Sequence, residues 1–341
     1  MKVLIVTNMY PTPEMTSLGI FIRRQVESLR GEGVDIDVFF VNGYKNKFSY
    51  LWAFPRFWAQ LLTRRYDLIH SHYVHVNIVA RAQFLYPLVI TYHSGDSYKK
   101  WQRRLSYLIS PLADRIIAVS EDTKKVGHLR GAIVIPSGIH LERFKPTDQQ
   151  EARRTLGLSM DKKLVLWVGG YSRPEKRSDI VQKTMALLKE RVPQAELVLV
   201  SDKPPSSVTA YMNACDVIFL VSDKEGSPNV IKEAMACNLP VVSTPVGDVP
   251  EIIGNTEGCY ICSQDPEDVA QKLELALRWG KRTDGREKIR HMEMGAISRR
   301  IIAQYQEVLR DKKSHVLPWL RRELRPNKCE TNIRNGGSNV W

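Results

Sequence analysis

Two carboxylates eight positions apart, Glu225 and Glu233, bracket the stretch Glu225-Gly-Ser-Pro-Asn-Val-Ile-Lys-Glu233-Ala-Met-Ala, directly after the apolar run Val217–Val221. A strand that ends in a glycine-containing turn and opens a helix presents free backbone N–H groups at the positive end of the helix dipole, a place for a phosphate. Carboxylates repel phosphate but accept hydrogen bonds from hydroxyls. Glu225 in the loop and Glu233 about two turns into the helix could therefore grip separate parts of one extended ligand. Acidic residues near a helix start also stabilise the dipole whatever they bind, so the pair alone does not decide between the two roles.

A second cluster, Val168-Gly169-Gly170-Tyr171-Ser172-Arg173-Pro174-Glu175-Lys176-Arg177, follows the apolar run Leu164–Val168. Small residues let backbone approach a ligand, and Arg173 with Lys176 would neutralise a diphosphate; a solvated basic turn has the same composition. In the first half, Gly19 follows the loop after the first apolar run, and His93-Ser94-Gly95-Asp96 ends the run Leu88–His93. His70, His72 and His75 invite a metal reading, since alternate strand residues share a face. No Cys or carboxylate accompanies them, so they read as core and cleft histidines. The five cysteines are sparse and odd in number, and Cys259-Tyr-Ile-Cys262 has no second pair at zinc spacing. They read as structural thiols in a reducing compartment.

The elements that must position these residues alternate along the chain. Strands are expected at Val3–Thr7, Asp35–Val41, Leu68–His72, Leu88–His93, Arg115–Ser120 and Val134–Pro136, with helical periods at Ile20–Arg30, Phe48–Arg64 and Ser97–Leu112. After the polar connection Lys145–Gln150 the pattern restarts, with strands at Leu164–Val168, Glu196–Ser201, Val217–Val221, Val241–Ser243 and Cys259–Cys262. Two βα alternations in series predict an α/β protein of two doubly wound, Rossmann-like parallel-sheet domains, residues 1–150 and 151–295. Ligands of such sheets sit at the carboxyl ends of the strands, here in a cleft between the halves.

With 341 residues, 43% hydrophobic and 26% charged, the chain has the balance of a globular protein and is neither disordered nor fibrous. No signal peptide is legible and no run approaches the ~18 apolar residues of a spanning helix, which predicts a cytoplasmic protein. Net charge is +13, which favours an anionic partner. Residues 1–150 hold 20 Lys and Arg against 12 Asp and Glu, residues 151–277 hold 14 against 18, and residues 278–341 hold 16 against 7. Ser97–Leu112 sets Lys99, Lys100, Arg103 and Arg104 beside Trp101, Leu105, Leu108 and Ile109, the pattern of a membrane-surface helix and equally of a domain helix with a solvated face.

Taken in order, the segments resemble family 4 of the retaining glycosyltransferases. The similarity runs over residues 1 to about 310 and is strongest at EGSPNVIKEAMACNLPVVSTPVGDVPEI (225–252), the family's E-x7-E segment and PVV strand with its glycine turn. YDLIHSHY (66–73), TYHSGD (91–96), AVSEDT (118–123), PSGIHLERFKP (136–146) and RPEKR (173–177) support it, and NMYPTPEMTSLGIFIRRQV near the start is shared with bacterial enzymes of teichuronic-acid or exopolysaccharide type.

The resemblance implies the GT-B fold, two facing Rossmann-like domains whose final helices, 296–325 here, cross back to the first domain, followed by a disordered tail at 326–341. It implies transfer from a nucleotide-sugar, a UDP-sugar or next a GDP-sugar, to an acceptor hydroxyl with retained anomeric configuration, no cofactor and no metal. It assigns Arg173 and Lys176 to the leaving diphosphate, and Gly226, Ser227, Pro228, Asn229 and Val230 to the loop whose amides hold phosphate and sugar. Glu225 would contact sugar hydroxyls, Glu233 the ribose, His93 the reacting carbon, and Gly19 the loop closing on the donor. The acceptor would be a glycan, lipid-linked, at the inner face of the plasma membrane, where the basic first half and basic C-terminal region would form one face toward anionic lipid. The family places an arginine directly after the strand-end glycine where this chain has Gly170, and its histidine is followed by Gly where this chain has Ser94. The stretch Ser201–Cys215 is short enough to lack a peripheral strand. A sugar-nucleotide epimerase of the same fold is the enzymatic alternative. A nucleic-acid-binding protein is suggested by net charge alone and lacks any stacking or helix-turn-helix signature.

Overall fold

Apolar runs bounded by turn residues form strands buried on both faces, as parallel sheets require. The computed structural model describes residues 1–16, 18–43, 45–46, 48–93, 100–171, 173–201 and 207–315. Ser94, Gly95, Asp96, Lys99, Ser172 and the tail at 326–341 lie outside them.

The first sheet contains β1 (Lys2–Thr7), β2 (Asp35–Phe40), β3 (Leu68–His72), β4 (Leu88–Tyr92), β5 (Arg115–Ala118) and β6 (Ile133–Val134), all parallel, in the order β2-β1-β3-β4-β5-β6. The second contains β7 (Lys163–Val168), β8 (Ala195–Val200), β9 (Val217–Leu220), β10 (Val241–Ser243) and β11 (Tyr260–Ile261), also parallel, in the order β11-β10-β9-β7-β8. Strand order reverses between β1 and β3 and again between β7 and β9. Loops leaving those neighbours diverge and open a crevice at the carboxyl edge. Between β8 and β9 the described chain has one short helix, Val208–Ala214, and β8 is the sheet edge.

Side-chain alternation divides the first sheet into two faces. Leu4, Val6, Ile69 and Ile90 pack with Ala53, Phe57 and Leu61 of helix Ser49–Thr63 and with Val76 and Val79 of helix Val74–Arg81. Val3, Ile5, Leu68 and Val89 pack with Ile22, Val26 and Leu29 of helix Ile20–Gly31 and with Ile297, Ile301, Tyr305 and Val308 of helix Met294–His315. The chain thus returns to its first sheet after completing the second. Each of those four side chains contributes about 1.5–3 kcal/mol by burial, so the return is anchored by several. At the crossing, the Ile139 amide donates to the Met292 carbonyl at 3.0 Å and the Met294 amide to the Ile139 carbonyl at 2.9 Å, so the outgoing and returning connections pair.

The basic helix Lys100–Ile109, whose Ile109 belongs to the Phe57 side, and the C-terminal helix lie on opposite faces of the first sheet. The returning helix completes the layer begun by Ile20–Gly31, so among the described residues the basic C-terminal region lies beside that helix of the first half.

Candidate functional site

The carboxyl edges of the sheets face one another across a cleft of about 290 Å³. Phe21, Tyr73, His93, Val119 and Ser137 line it from the first domain, and Arg173, Lys176, Glu225, Gly226, Ser227, Pro228 and Asn229 from the second. Sequence positions 93, 173, 176 and 225–229 are thereby brought into one place. Val230 instead packs against the second core. Neither Gly19 nor Glu233 is among the lining residues.

The loop after β7 presents its two cations differently. Lys176 is buried and its Nζ donates to Glu225 Oε1 at 2.6 Å, joining the loops that follow β7 and β9. Arg173 is 61% exposed at the side chain and donates to Glu175 at 2.9 Å. Glu175, though partly desolvated, is held below the usual carboxylate range by its own backbone amide and by Arg173. The ammonium of Lys176 has three donors, so a salt bridge to Glu225 leaves capacity for a ligand oxygen.

The loop after β9 runs into helix Asn229–Ala236, which has no side-chain N-cap, so its first amides have no intrahelical acceptor. Asn229 Oδ1 is buried and has no partner among the described residues. Beneath the loop, fully buried Lys232 donates to the Ser137 carbonyl at 2.8 Å and to Ser227 Oγ, and lies 3.3 Å from Asp248. Ser227 donates to Asp248 at 2.6 Å and accepts from the Ser137 amide at 3.3 Å. Burial lowers the Lys232 pKa and raises that of Asp248, and their mutual attraction opposes both shifts. Gly247 backs the same loop at φ +60°, where a Cβ would meet the Gly226 carbonyl oxygen at 2.6 Å.

On the first-domain wall, His93 stacks on Tyr73 at 4.7 Å and meets Phe21 edge-on at 5.2 Å. Its Nε2 is 3.2 Å from Nδ1 of His72, whose ring lies 4.2 Å from that of His70. His70 in turn bonds Tyr305 at 2.5 Å and Thr91 at 2.7 Å. Burial pushes both His93 and His70 down to about 3, and His72 well below its ordinary value. All three are neutral imidazoles at neutral pH. Among the described residues no three His, Cys, Asp or Glu side chains are placed to hold a metal ion. Cys259 and Cys262 are unpaired, their thiols pushed up to about 12 by burial. Tyr73 sits at φ 76°, a costly conformation for a non-glycine residue.

Gly19 caps helix Ile20–Gly31 at φ +61°, and a Cβ there would lie 2.4 Å from the Met9 backbone. It lets the loop after β1 fold against itself. Glu233 is 13% exposed at its side chain and accepts from Arg24 of the first domain at 3.2 Å. Burial raises its pKa, opposed by Arg24. The roles of Lys232, Asp248, Ser137, Arg24 and Tyr73 escaped the sequence reading, although all five stand inside the quoted motif strings. The string AVSEDT has a local explanation: Ser120 caps helix Glu121–Val126 by accepting from the Thr123 amide at 3.0 Å.

The model for Glycosyltransferase Family 4 matches residues 2–143, and that for Glycosyl transferases group 1 matches residues 205–278. The chain belongs to the family 4 glycosyltransferases. This glycosyltransferase is 25% identical to a putative teichuronic acid biosynthesis glycosyltransferase of Bacillus subtilis, over 80% of this chain and 88% of that one. It is 31% identical to the D-inositol 3-phosphate glycosyltransferase of Mycobacterium tuberculosis over 62% of this chain, which spans only 54% of that relative. Among solved structures, the sucrose-phosphate synthase of Thermosynechococcus elongatus superposes with a TM-score of 0.78 at 20% identity, covering 91% of this chain and all of that one. The Anabaena protein HepE, solved with UDP-glucose, gives 0.65 at 16% identity over 90% of this chain and all of that one. The GT-B fold of this glycosyltransferase is thereby shared. No helix among the described residues is long and apolar enough to cross a membrane.

Proposed function

We propose that this glycosyltransferase moves a sugar from a nucleotide-sugar to a hydroxyl of a lipid-linked glycan acceptor in bacterial surface-polysaccharide synthesis, with retention and without a metal. The observation that carries the reading is the Lys176–Glu225 pair beside the uncapped start of helix Asn229–Ala236. Cation, free amides and hydroxyl-binding carboxylate sit together, as a sugar diphosphate demands. The UDP-sugar bound by HepE and the polysaccharide named for the Bacillus relative support the donor and the setting.

Breaking the anomeric C–O bond leaves positive charge on the sugar and growing negative charge on the diphosphate. Lys176, Arg173 and the amides of Gly226, Ser227 and Asn229 meet the negative charge from preset positions, the form of stabilisation that usually contributes most. Glu225 accepts from sugar hydroxyls and also keeps Lys176 aimed into the cleft. His93, neutral and opposite them, adds no positive charge next to the electron-poor anomeric carbon. The diphosphate oxygen takes the acceptor proton on the same face, so no protein nucleophile is assigned.

Thermal unfolding with UDP-, GDP- and ADP-sugars, with and without EDTA, tests the donor site in wild type and Lys176→Ala. A donor at ~100 times its dissociation constant adds about 2.7 kcal/mol. Stabilisation by one nucleotide class, unchanged by EDTA and lost in Lys176→Ala, is expected. Stabilisation that requires a divalent ion, or that survives Lys176→Ala, would overturn the site as drawn. Release of free nucleotide diphosphate only when acceptor is present separates transfer from epimerisation.

A further inference from the structure

His72 stands directly behind His93 in the first-domain wall of the cleft. His70 and His72 alternate on β3 and share a face. His72 pairs with Thr91 of β4, and His93 follows two residues later, just past the end of that strand. Three buried imidazoles thus form a row from Tyr305 of the C-terminal helix to the cleft. All three are neutral, so each ring carries one N–H and one bare nitrogen. Which nitrogen is which follows from the partners.

His70 uses both nitrogens on hydroxyls, those of Tyr305 and Thr91. A hydroxyl can donate or accept, so either tautomer of His70 is satisfied. His72 differs. Its Nδ1 lies 3.2 Å from Nε2 of His93, while its own Nε2 is buried with no partner among the described residues. One proton lies between the two rings, on His72 Nδ1 or on His93 Nε2. Were it on His93, the proton of His72 would sit on Nε2 as a buried N–H with nothing to accept it. Were it on His72 Nδ1, the orphan would be only an unused lone pair. Orphaned buried N–H groups are rarer in folded proteins than under-used acceptors, which selects the second arrangement.

We propose that His72 is a positioning residue: it donates from Nδ1 to His93 Nε2 and holds His93 as the Nδ1–H tautomer, so that His93 serves transfer as a hydrogen-bond donor and not as a base. With Nε2 accepting and Nδ1 protonated, neither nitrogen of His93 is left to take up a proton. The proton of the acceptor hydroxyl must then leave by another route, in keeping with its passage to the diphosphate oxygen. The part played in transfer rests on the donor site proposed above; the tautomer itself does not.

Nitrogen NMR of the full chain, isotopically labelled at histidine, tests this, because couplings to the carbon-bound ring protons show which nitrogen is protonated. Loss of one set of signals in His93→Gln identifies those of His93. Wild type is expected to show His93 protonated at Nδ1. Two variants of equal shape then separate proton placement from packing. His72→Asn keeps an N–H beside His93 Nε2 and should retain the Nδ1–H signature and most of the activity. His72→Asp, once ionised, can only accept, so His93 should gain a proton at Nε2 and kcat/KM for the nucleotide-sugar should fall about 10²-fold. A wild-type His93 protonated at Nε2 overturns the proposal, and this spectrum decides even if a variant does not fold. Equal kcat/KM in the Asn and Asp variants, both folded by circular dichroism, also overturns it, since packing alone would then account for His72. Neither result touches the donor site, which is checked separately by nucleotide-sugar stabilisation of wild type.

Discussion

On the first-domain wall of the cleft, three imidazoles touch one another and burial keeps them uncharged. On the second-domain wall, Lys176 and Lys232 are as deeply placed, yet each stands against a carboxylate, Glu225 or Asp248. Desolvation penalises an ion in both places. One wall meets the penalty by giving up charge, the other by pairing it. The difference follows from what each must face: a diphosphate requires fixed cations, while an anomeric centre becoming positive is better served by a neutral neighbour.

If that contrast is correct, acid should attack the histidine wall first and most strongly. His70 and His93 bind protons at about 3 when folded and near 6.5 when unfolded, and His72 is also shifted down. Between those values the unfolded chain holds more protons, so stability falls as pH drops below 6.5. Three such groups give a slope of up to about 4 kcal/mol per pH unit. Urea midpoints measured from pH 7.5 downward would show it, and His72→Gln should remove about one proton from the slope. A flat profile to pH 5 would erase the distinction between the walls.

The paired wall should break when one partner is removed. Lys232→Met leaves Asp248 buried with only Ser227, at a cost of about 3–5 kcal/mol. Lys232→Met/Asp248→Leu should recover most of that loss in urea titrations, because the penalty belongs to the uncompensated ion. A smaller effect sharpens the comparison within the second domain. Arg173 is mostly exposed and its pair with Glu175 is worth at most about 1 kcal/mol, so Arg173→Ala should lower kcat/KM only about tenfold. Lys176→Ala should lower it about 10²–10³-fold. Equal losses would mean that exposed Arg173 holds the diphosphate as firmly as buried Lys176 does.

The strands were legible because each parallel strand is an apolar run closed by turn residues, and β3 and β10 match their expected bounds to the residue. Others differ by one or two residues at the ends: β1 and β7 begin one residue earlier, β6 and β8 shift toward the N-terminus, and β5 loses Val119 and Ser120, where Ser120 leaves the ladder to cap the next helix. The cleft was legible where chemistry is local, at Gly226–Asn229 after β9 and at Arg173 and Lys176 after β7. It was illegible where partners come from separate segments. Nothing in the spacing of 176 and 225 announces an ion pair, nor does that of 24 and 233, because topology sets those distances. Lys232, in the middle of a helix, reads as a solvated lysine until the packing of Ser137 and Asp248 around it is known. The charge count located the basic segments but could not tell which side of the sheet each would take.

The C-terminal helix has a consequence for synthesis. Ile297, Ile301, Tyr305 and Val308 complete one half of the first sheet's core, and Tyr305 closes over His70. Domains ordinarily fold in order as they leave the ribosome. Here the earliest strands wait, with one face covered only by helix Ile20–Gly31, until residues 297–308 have been translated, so the first domain to be made is the last to be finished.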